Sequence, residues 1–475
     1  MTSVKKAFGW KLIERFSVVL IQFALQLILA RFLSPSEYGI FAILLIFTDF
    51  SSIIYNAGFS EALIQSNDVT DDDYSSVFTV SLIAAVIIYL IIFLTAPYIA
   101  VFFNQKLLSP TLRVISLIIF PNVYISVHQS MLNKNLNFKS IFYSNFSATL
   151  ISGVISIALA TRLGVWALVL KQVTHALIFS FVLCLENKWT PKLLIVKDKI
   201  LNLFSFGSKV FISNLFEFFY NNLIGILIGR FFTVNILGLY NRANQFPTAA
   251  INVVNAPFVS LMLPMMSKAQ DNKQEVKNIM KNSIKLSTYI MFPLMLSLAL
   301  LSNQVIYFLL GAKWVESSKY LMILSIAYTI FPMQSANAQS ILSVGRSDVL
   351  LRLNITKQVI SMGLIIASIP FGPIVMACSQ ILSMIVALAI NSYENNKLIH
   401  YSLFEQIKDV LPNLIIALVS VFIGYLLLNT LQTGVFIQLL LCCIVIVVVY
   451  LILSFIFKVY AFNYLLNIVK GRIAK

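Results

Sequence analysis

A chain of 475 residues that is 59% hydrophobic and only 11% charged lies far from soluble domains, which average about 45–50% apolar and about 25% charged. That excludes a soluble globular enzyme and points to an integral membrane protein with room for roughly 14 apolar segments of about 20 residues. The net charge of +16 raises nucleic acid as a partner, but the lysines gather in turns between apolar segments, which suits cytoplasmic loops beside anionic lipid; no nucleic acid is expected.

The first apolar segment covers 9–31. It carries Glu14 and Arg15 and further spans follow, so it reads as a first membrane span rather than a cleaved leader. Arg31 ends it, where a cation meets the negative end of a helix. Ser34-Pro35-Ser36-Glu37 then reads as a capping box with proline in the first helical turn, so a second helix starts at Pro35. Further spans are expected at 38–65, 77–103, 111–132, 140–162, 164–185, 207–230, 235–265, 283–310, 318–343, 350–370, 373–391, 409–430 and 434–457. Between the second and third spans, Asp71-Asp72-Asp73 reads as cap and charge complement for the next helix rather than a calcium loop.

The motif at Arg31 recurs. Gly229-Arg230-Phe231-Phe232-Thr233 through Gly238 repeats the small residue, Arg, Phe, hydroxyl cap and Gly of Ala30 through Gly39. Asn56-Ala57-Gly58-Phe59 then answers Asn255-Ala256-Pro257-Phe258, Ile119-Phe120-Pro121 answers Ile330-Phe331-Pro332, and Gln129-Ser130 answers Gln339-Ser340. Gly164 and Gln172 answer Gly372 and Gln380. Matches in one order imply an internal duplication. The expected fold is an all-α polytopic membrane protein of about 14 transmembrane helices, as two duplicated six-helix lobes plus two C-terminal helices. The lobes are 1–186 and 207–395, joined by a loop at 187–206, with the extra helices and a tail at 396–475.

Lysine and arginine are about three times as numerous in the termini and even-numbered turns as in the odd turns, which places both termini and the inter-lobe loop in the cytoplasm. No loop is long enough for a soluble catalytic domain, and no phosphate-binding GxxxxGK[ST] or zinc HExxH motif occurs. Cys184, Cys378, Cys442 and Cys443 lie in apolar segments without metal spacing. No metal, cofactor or catalytic activity is expected.

Ionisable residues inside spans cost about 2.5–3.5 kcal/mol each at a helix centre, so they should face protein or water. Lys171 and His175 share a helix face at i, i+4. Arg15 lines up with Gln22 and Gln26, Asn214 with Glu217 and Asn221, Arg242 with Gln245 and Asn252, and Asp49 with Asn56. Arg15, Lys171, His175 and Arg242 are the candidate substrate-binding cations of a lumen between the lobes. Two readings stand for Arg15 and Arg242, lumen or snorkelling at a helix end; for Lys357 snorkelling is preferred, and for His128 an interhelical hydrogen bond. Asp49, Glu217 and Glu14 are the candidate ion-coupling carboxylates. Pro247 and Pro257, in a long span that also holds Pro264, are candidate gate residues.

Arg31-Phe-Leu-Ser-Pro-Ser-Glu-Tyr-Gly39 followed by Gly58-Phe-Ser-Glu-Ala-Leu-Ile-Gln65 resembles the N-terminal signature of the bacterial polysaccharide transport family. The likeness is to O-antigen and colanic-acid exporters of the multidrug/oligosaccharidyl-lipid/polysaccharide flippase superfamily. It implies an inner-membrane flippase that moves undecaprenyl-pyrophosphate-linked oligosaccharide repeat units for surface polysaccharide synthesis. The partners implied are that lipid-linked substrate, membrane lipids, a proton or sodium ion, and a polysaccharide polymerase of the same pathway. The alternative is an ion-coupled antiporter exporting small amphipathic molecules on the same fold.

Overall fold

The computed structural model describes residues 2–66, 68–186, 189–469 and 471, without the side chains of 2–9, 11–16, 206, 468 and 469. The described chain is α-helical apart from short turns, with no strand. It forms two compact units, Met1–Gly238 and Leu239–Lys475. Among the described residues twelve helices are long and apolar enough to cross a membrane, and Ser17–Phe32, the continuous part of the first helix with described side chains, is apolar too.

The first unit holds α1 (Thr2–Phe32), α2 (Pro35–Asn56), α3 (Phe59–Gln65), α4 (Asp71–Phe102), α5 (Leu108–Ile115), α6 (Ile119–Lys134), α7 (Phe138–Leu163), α8 (Val165–Glu186), α9 (Lys197–Phe231) and the first turn of α10 (Val234–Lys268). The capping box forms as expected: Ser34 N–H donates to Glu37 Oε2 at 2.6 Å, and Glu37 N–H donates to Ser34 Oγ at 3.4 Å. Its partner in the repeat caps too, with Ile236 N–H donating to Thr233 Oγ1 at 3.3 Å. Thr70 and Asp73 close another capping box, and Lys199 pairs with Asp73 at 3.1 Å.

One expectation in this unit is corrected. The span expected at 38–65 breaks into α2 and α3, because Ala57 and Gly58 both take positive φ (43° and 74°) and end the first helix. The span expected at 207–230 is the Gly207–Phe231 stretch of α9, whose helix begins earlier, at Lys197, where Ile200 and Leu203 cover an apolar surface. That surface is Phe59 and Leu63 of α3, Tyr74 and Val77 of α4, and Val127 and Met131 of α6. The segment before α9 is pinned along α4: Lys192 N–H donates to Ser75 Oγ at 3.3 Å and Val196 N–H to Ser76 Oγ at 3.1 Å.

Helix α7 shows how spans pack without a hydrophobic drive between them. Ser144, Ala148, Ser152 and Ser156 fall four residues apart, all buried, and let neighbouring backbones approach. Ser156 Oγ donates to Ala167 O of α8 at 2.9 Å. A Cβ at Gly153 would lie 2.4 Å from Leu25 of α1.

The second unit holds the rest of α10, then α11 (Lys273–Leu300), α12 (Ser302–Leu310), α13 (Ser317–Tyr328), α14 (Phe331–Ser343), α15 (Ser347–Ser368), α16 (Pro373–Ile399), α17 (Leu403–Thr430), α18 (Val435–Ile456) and α19 (Tyr460–Val469). The repeated Ile-Phe-Pro opens a new α-helix in each unit, α6 and α14, because proline lacks the N–H of a helix interior and favours a first turn. The span expected at 111–132 lies in one apolar stretch, Leu108–Lys134, that passes through a 3-10 turn at Ser116–Ile118, whereas the spans expected at 283–310 and 318–343 are each divided, after Leu300 and after Tyr328.

A methionine-rich core (Met262, Met266, Met280, Met333) joins α10, α11, α14 and the C-terminal helices. Buried amides add specificity. Asn337 Nδ2 donates to Gln406 Oε1 at 2.8 Å, Gln406 Nε2 returns to Asn337 Oδ1 at 3.1 Å, and Asn395 Nδ2 donates to the same oxygen at 2.8 Å. Lys281 and Lys285 pair with Asp409 at 2.9 and 3.0 Å, and Tyr401 O–H donates to Asp409 at 2.9 Å. Burial first, then the Asp409 carboxylate, push the Tyr401 phenol upward.

Candidate functional site

Glu14 and Arg15 lie outside the described side chains. The other candidate cations fall in different units. Lys171 and His175 stand half-buried on α8 in the first. His175 Nε2 lies 3.3 Å from Asn145 Oδ1 and 3.4 Å from Thr149 Oγ1 of α7, partners that the spacing of α8 does not disclose. Arg242 is buried in the second unit and donates through Nη1 to Gln245 Oε1, one turn on along α10. That is the shared polar face expected of Arg242 and Gln245.

The carboxylates Asp49 of α2 and Glu217 of α9 are both exposed. Their sequence neighbours meet: the Phe50 ring lies 5.3 Å from that of Phe218 and 6.2 Å from that of Phe219. Both carboxylates thus adjoin in sequence the residues of one aromatic contact between α2 and α9. Pro247 is buried and Pro257 exposed, and α10 runs as one helix of 35 residues through both and through Pro264.

Two expectations about single residues change. Lys357 does not simply reach out along its helix; its ammonium donates to Asn391 Oδ1 of α16 at 3.0 Å. His128 is fully buried, but neither ring nitrogen has a hydrogen-bond partner among the described residues. Rings fill its surroundings instead, with Tyr124 at 4.1 Å and Trp189 at 5.0 Å between centroids.

A polar cleft of about 390 Å³ opens in the first unit between the end of α2, α3 and α6. Asn122, Ser126, Gln129 and Asn133 of α6 face it, at i, i+4, i+7 and i+11. Ser126 Oγ donates to Asn56 Oδ1 at 2.5 Å and lies 2.6 Å from Ser60 Oγ, which knits the three elements together. The positive φ at Ala57 and Gly58 turns the chain so that Ser60 and Glu61 of α3 return to the cleft beside Asn56. A search for charged residues passes over this stripe of neutral amides, although its helical spacing is visible in the sequence.

Comparisons with known proteins agree on the family. The family described as "Polysaccharide biosynthesis protein" matches residues 28–319. The teichuronic acid biosynthesis protein TuaB of Bacillus subtilis (strain 168) is 25% identical over 344 residues, 71% of each chain. The succinoglycan biosynthesis transport protein ExoT of Rhizobium meliloti (strain 1021) is 25% identical over 350 residues, 73% of this chain and 71% of that one. Among solved structures, the lipid II flippase MurJ in an inward closed conformation has the same fold, with a TM-score of 0.78 at 18% identity over 95% of this chain and 98% of that one. With more than half of its length matched by the family and the fold of a flippase, this chain belongs to the polysaccharide biosynthesis protein family.

Proposed function

We propose that this protein is a bacterial inner-membrane flippase for undecaprenyl-pyrophosphate-linked oligosaccharide repeat units, feeding surface polysaccharide synthesis. The observation that carries the reading is the family match over residues 28–319, in a chain whose fold is that of a lipid II flippase. The named relatives TuaB and ExoT serve polysaccharide biosynthesis, which leaves less behind a small-molecule antiporter.

The six-helix lobes 1–186 and 207–395 flank the loop 187–206, with residues 396–475 as the added pair of helices and tail. Both termini are cytoplasmic. The protein translocates its substrate without a catalytic step and hands it to a polymerase. Arg15, Lys171, His175 and Arg242 hold the pyrophosphate; guanidinium forks suit phosphate because they offer paired donors in one plane. Gln245 orients Arg242 for this task. Asp49, Glu217 and Glu14 couple transport to a proton or sodium gradient. Pro247 and Pro257 lie where α10 bends during gating.

The test is genetic and direct. Deleting the gene should trap lipid-linked repeat units in the cytoplasmic leaflet and abolish the surface polymer, and restoring it should clear them. Outer-leaflet repeat units at the normal rate in the deletion strain would overturn the reading.

A further inference from the structure

The candidate cations answer to the pyrophosphate, yet a lipid-linked repeat unit also carries sugar rings. We propose that the cleft between α2, α3 and α6 is a glycan-binding site that takes one or two sugar rings of the substrate. This inference rests on the flippase reading above.

Size comes first. At about 390 Å³ the cleft falls inside the range of about 300–1,000 Å³ usual for small-molecule sites. Its chemistry then selects the ligand. A sugar ring carries hydroxyls that each donate and accept, and side-chain amides are the groups that do both. Asn122, Gln129 and Asn133 present three amides along one face of α6. Among the described residues, Gln129 and Asn133 have no side-chain hydrogen bond to another residue, so their donors and acceptors face the cleft uncommitted. Asn56 and Ser126 are already tied to each other, which fixes the wall on which a ring would rest.

The same lining argues against the other end of the substrate. No lysine or arginine lines the cleft, and Glu61 would repel a phosphate. One carboxylate among neutral amides is also a poor cage for a divalent cation, which takes six or more oxygens. Tyr55, Ile64 and Ile125 add apolar surface for the C–H face of a ring. A polar cleft with some apolar lining and no cation suits a sugar ring.

The experiment uses the full chain in lipid nanodiscs with Ile64→Cys. Ile64 lines the cleft and is exposed, so the change leaves the core intact. A hydrophilic maleimide labels the new thiol, and mass spectrometry follows the peptide that carries it, apart from the native cysteines. The probe is the free oligosaccharide released by mild acid from the host's own lipid-linked precursor; undecaprenyl pyrophosphate without sugar is the comparison. The oligosaccharide should slow labelling several-fold, the sugar-free lipid should not, and Gln129→Ala with Asn133→Ala should remove the protection. Unchanged labelling with the oligosaccharide, or equal protection by the sugar-free lipid, overturns the glycan site. Transport of the intact precursor in the same preparation is scored separately, so the flippase reading stands or falls on its own.

Discussion

Gly39 and Gly238, the last residues of the two copies of the repeated motif, close on each other's helix start within the first unit. A Cβ at Gly39 would sit 1.7 Å from Val234 O, and one at Gly238 would sit 1.9 Å from Pro35 O. Pro35 and Val234 also occupy equivalent places in the repeated motif, so the contact is reciprocal. The glycines are therefore required by a backbone crossing, since α2 and α10 are ordinary helices at these points.

Gly39→Ala and Gly238→Ala should each lower stability, because backbone cannot swing aside as a side chain can. Overpacking costs about 1–3 kcal/mol, and a shift at this crossing belongs at the upper end. Gly225→Ala is the comparison: its Cβ would meet side chains at 3.7 Å, an ordinary contact. Thermal unfolding in detergent should show both crossing variants melting well below Gly225→Ala. Equal melting of all three would mean that the crossing relaxes freely.

The amide network of the second unit makes a different demand. Gln406, Asn337 and Asn395 are all fully buried, so no water replaces a lost partner. Gln406→Leu takes one of two partners from each end of the Asn337 amide, which keeps Met333 O and Asn395 Nδ2, and removes the acceptor of Ser392 Oγ, so each lost bond costs about 0.5–1.5 kcal/mol. The average for polar contacts between membrane helices is about 0.6 kcal/mol, so a fall at the lower end would mean that the remaining partners of Asn337 carry the network. A thermal shift no larger than that of Gln438→Leu, at the partly buried start of α18, would remove the network from the account of stability.

Lys357 and Asn391 predict an asymmetry. Lys357→Met removes a cation together with its need for a partner and should be tolerated. Asn391→Leu leaves the ammonium without the oxygen that holds it and should destabilise more, with Lys357→Met rescuing it in the double variant. The check is a double-mutant cycle on unfolding temperature; additive effects would show that the two residues act independently.

At Arg242 the prediction is functional. Arg242→Gln should strongly reduce export at normal protein levels, and Arg242→Lys should be milder without being silent, since a point charge replaces a planar fork. Export restored fully by lysine and largely kept with glutamine would indicate a snorkelling residue.

Reporter fusions after Lys199 and after Lys475 should both read cytoplasmic, from the asymmetry of basic residues between alternate turns. An outside signal at either position would require a different number of spans.

Local physics made part of this architecture legible. Ser34 and Glu37 carry their capping box in four residues, and the two Ile-Phe-Pro segments announce the starts of α6 and α14. The break after Asn56 was harder to see, because its first left-handed residue is an alanine, a type with no turn signature of its own. The Asn337, Asn395 and Gln406 network has no local signal at all, since its members come from three helices and each alone is one amide in an apolar run. The cleft lies between these cases. Its α6 stripe is regular, but a neutral amide carries a smaller membrane penalty than a charge and so attracts less notice.

The docking of α9 bears on how the protein is made. Leu203 completes the apolar cluster of α3, α4 and α6, and residues 234–238 supply half of the glycine crossing. The earlier helices can each insert as the ribosome delivers them, but the first unit has no finished interior until α9 has followed. Until then Phe59, Leu63 and Tyr74 lack the cover that Leu203 brings, and a quality-control protease would find the nascent chain there. A chain truncated after Glu186 should turn over faster in the cell than one that extends through Gly238, although both contain every residue of the cleft.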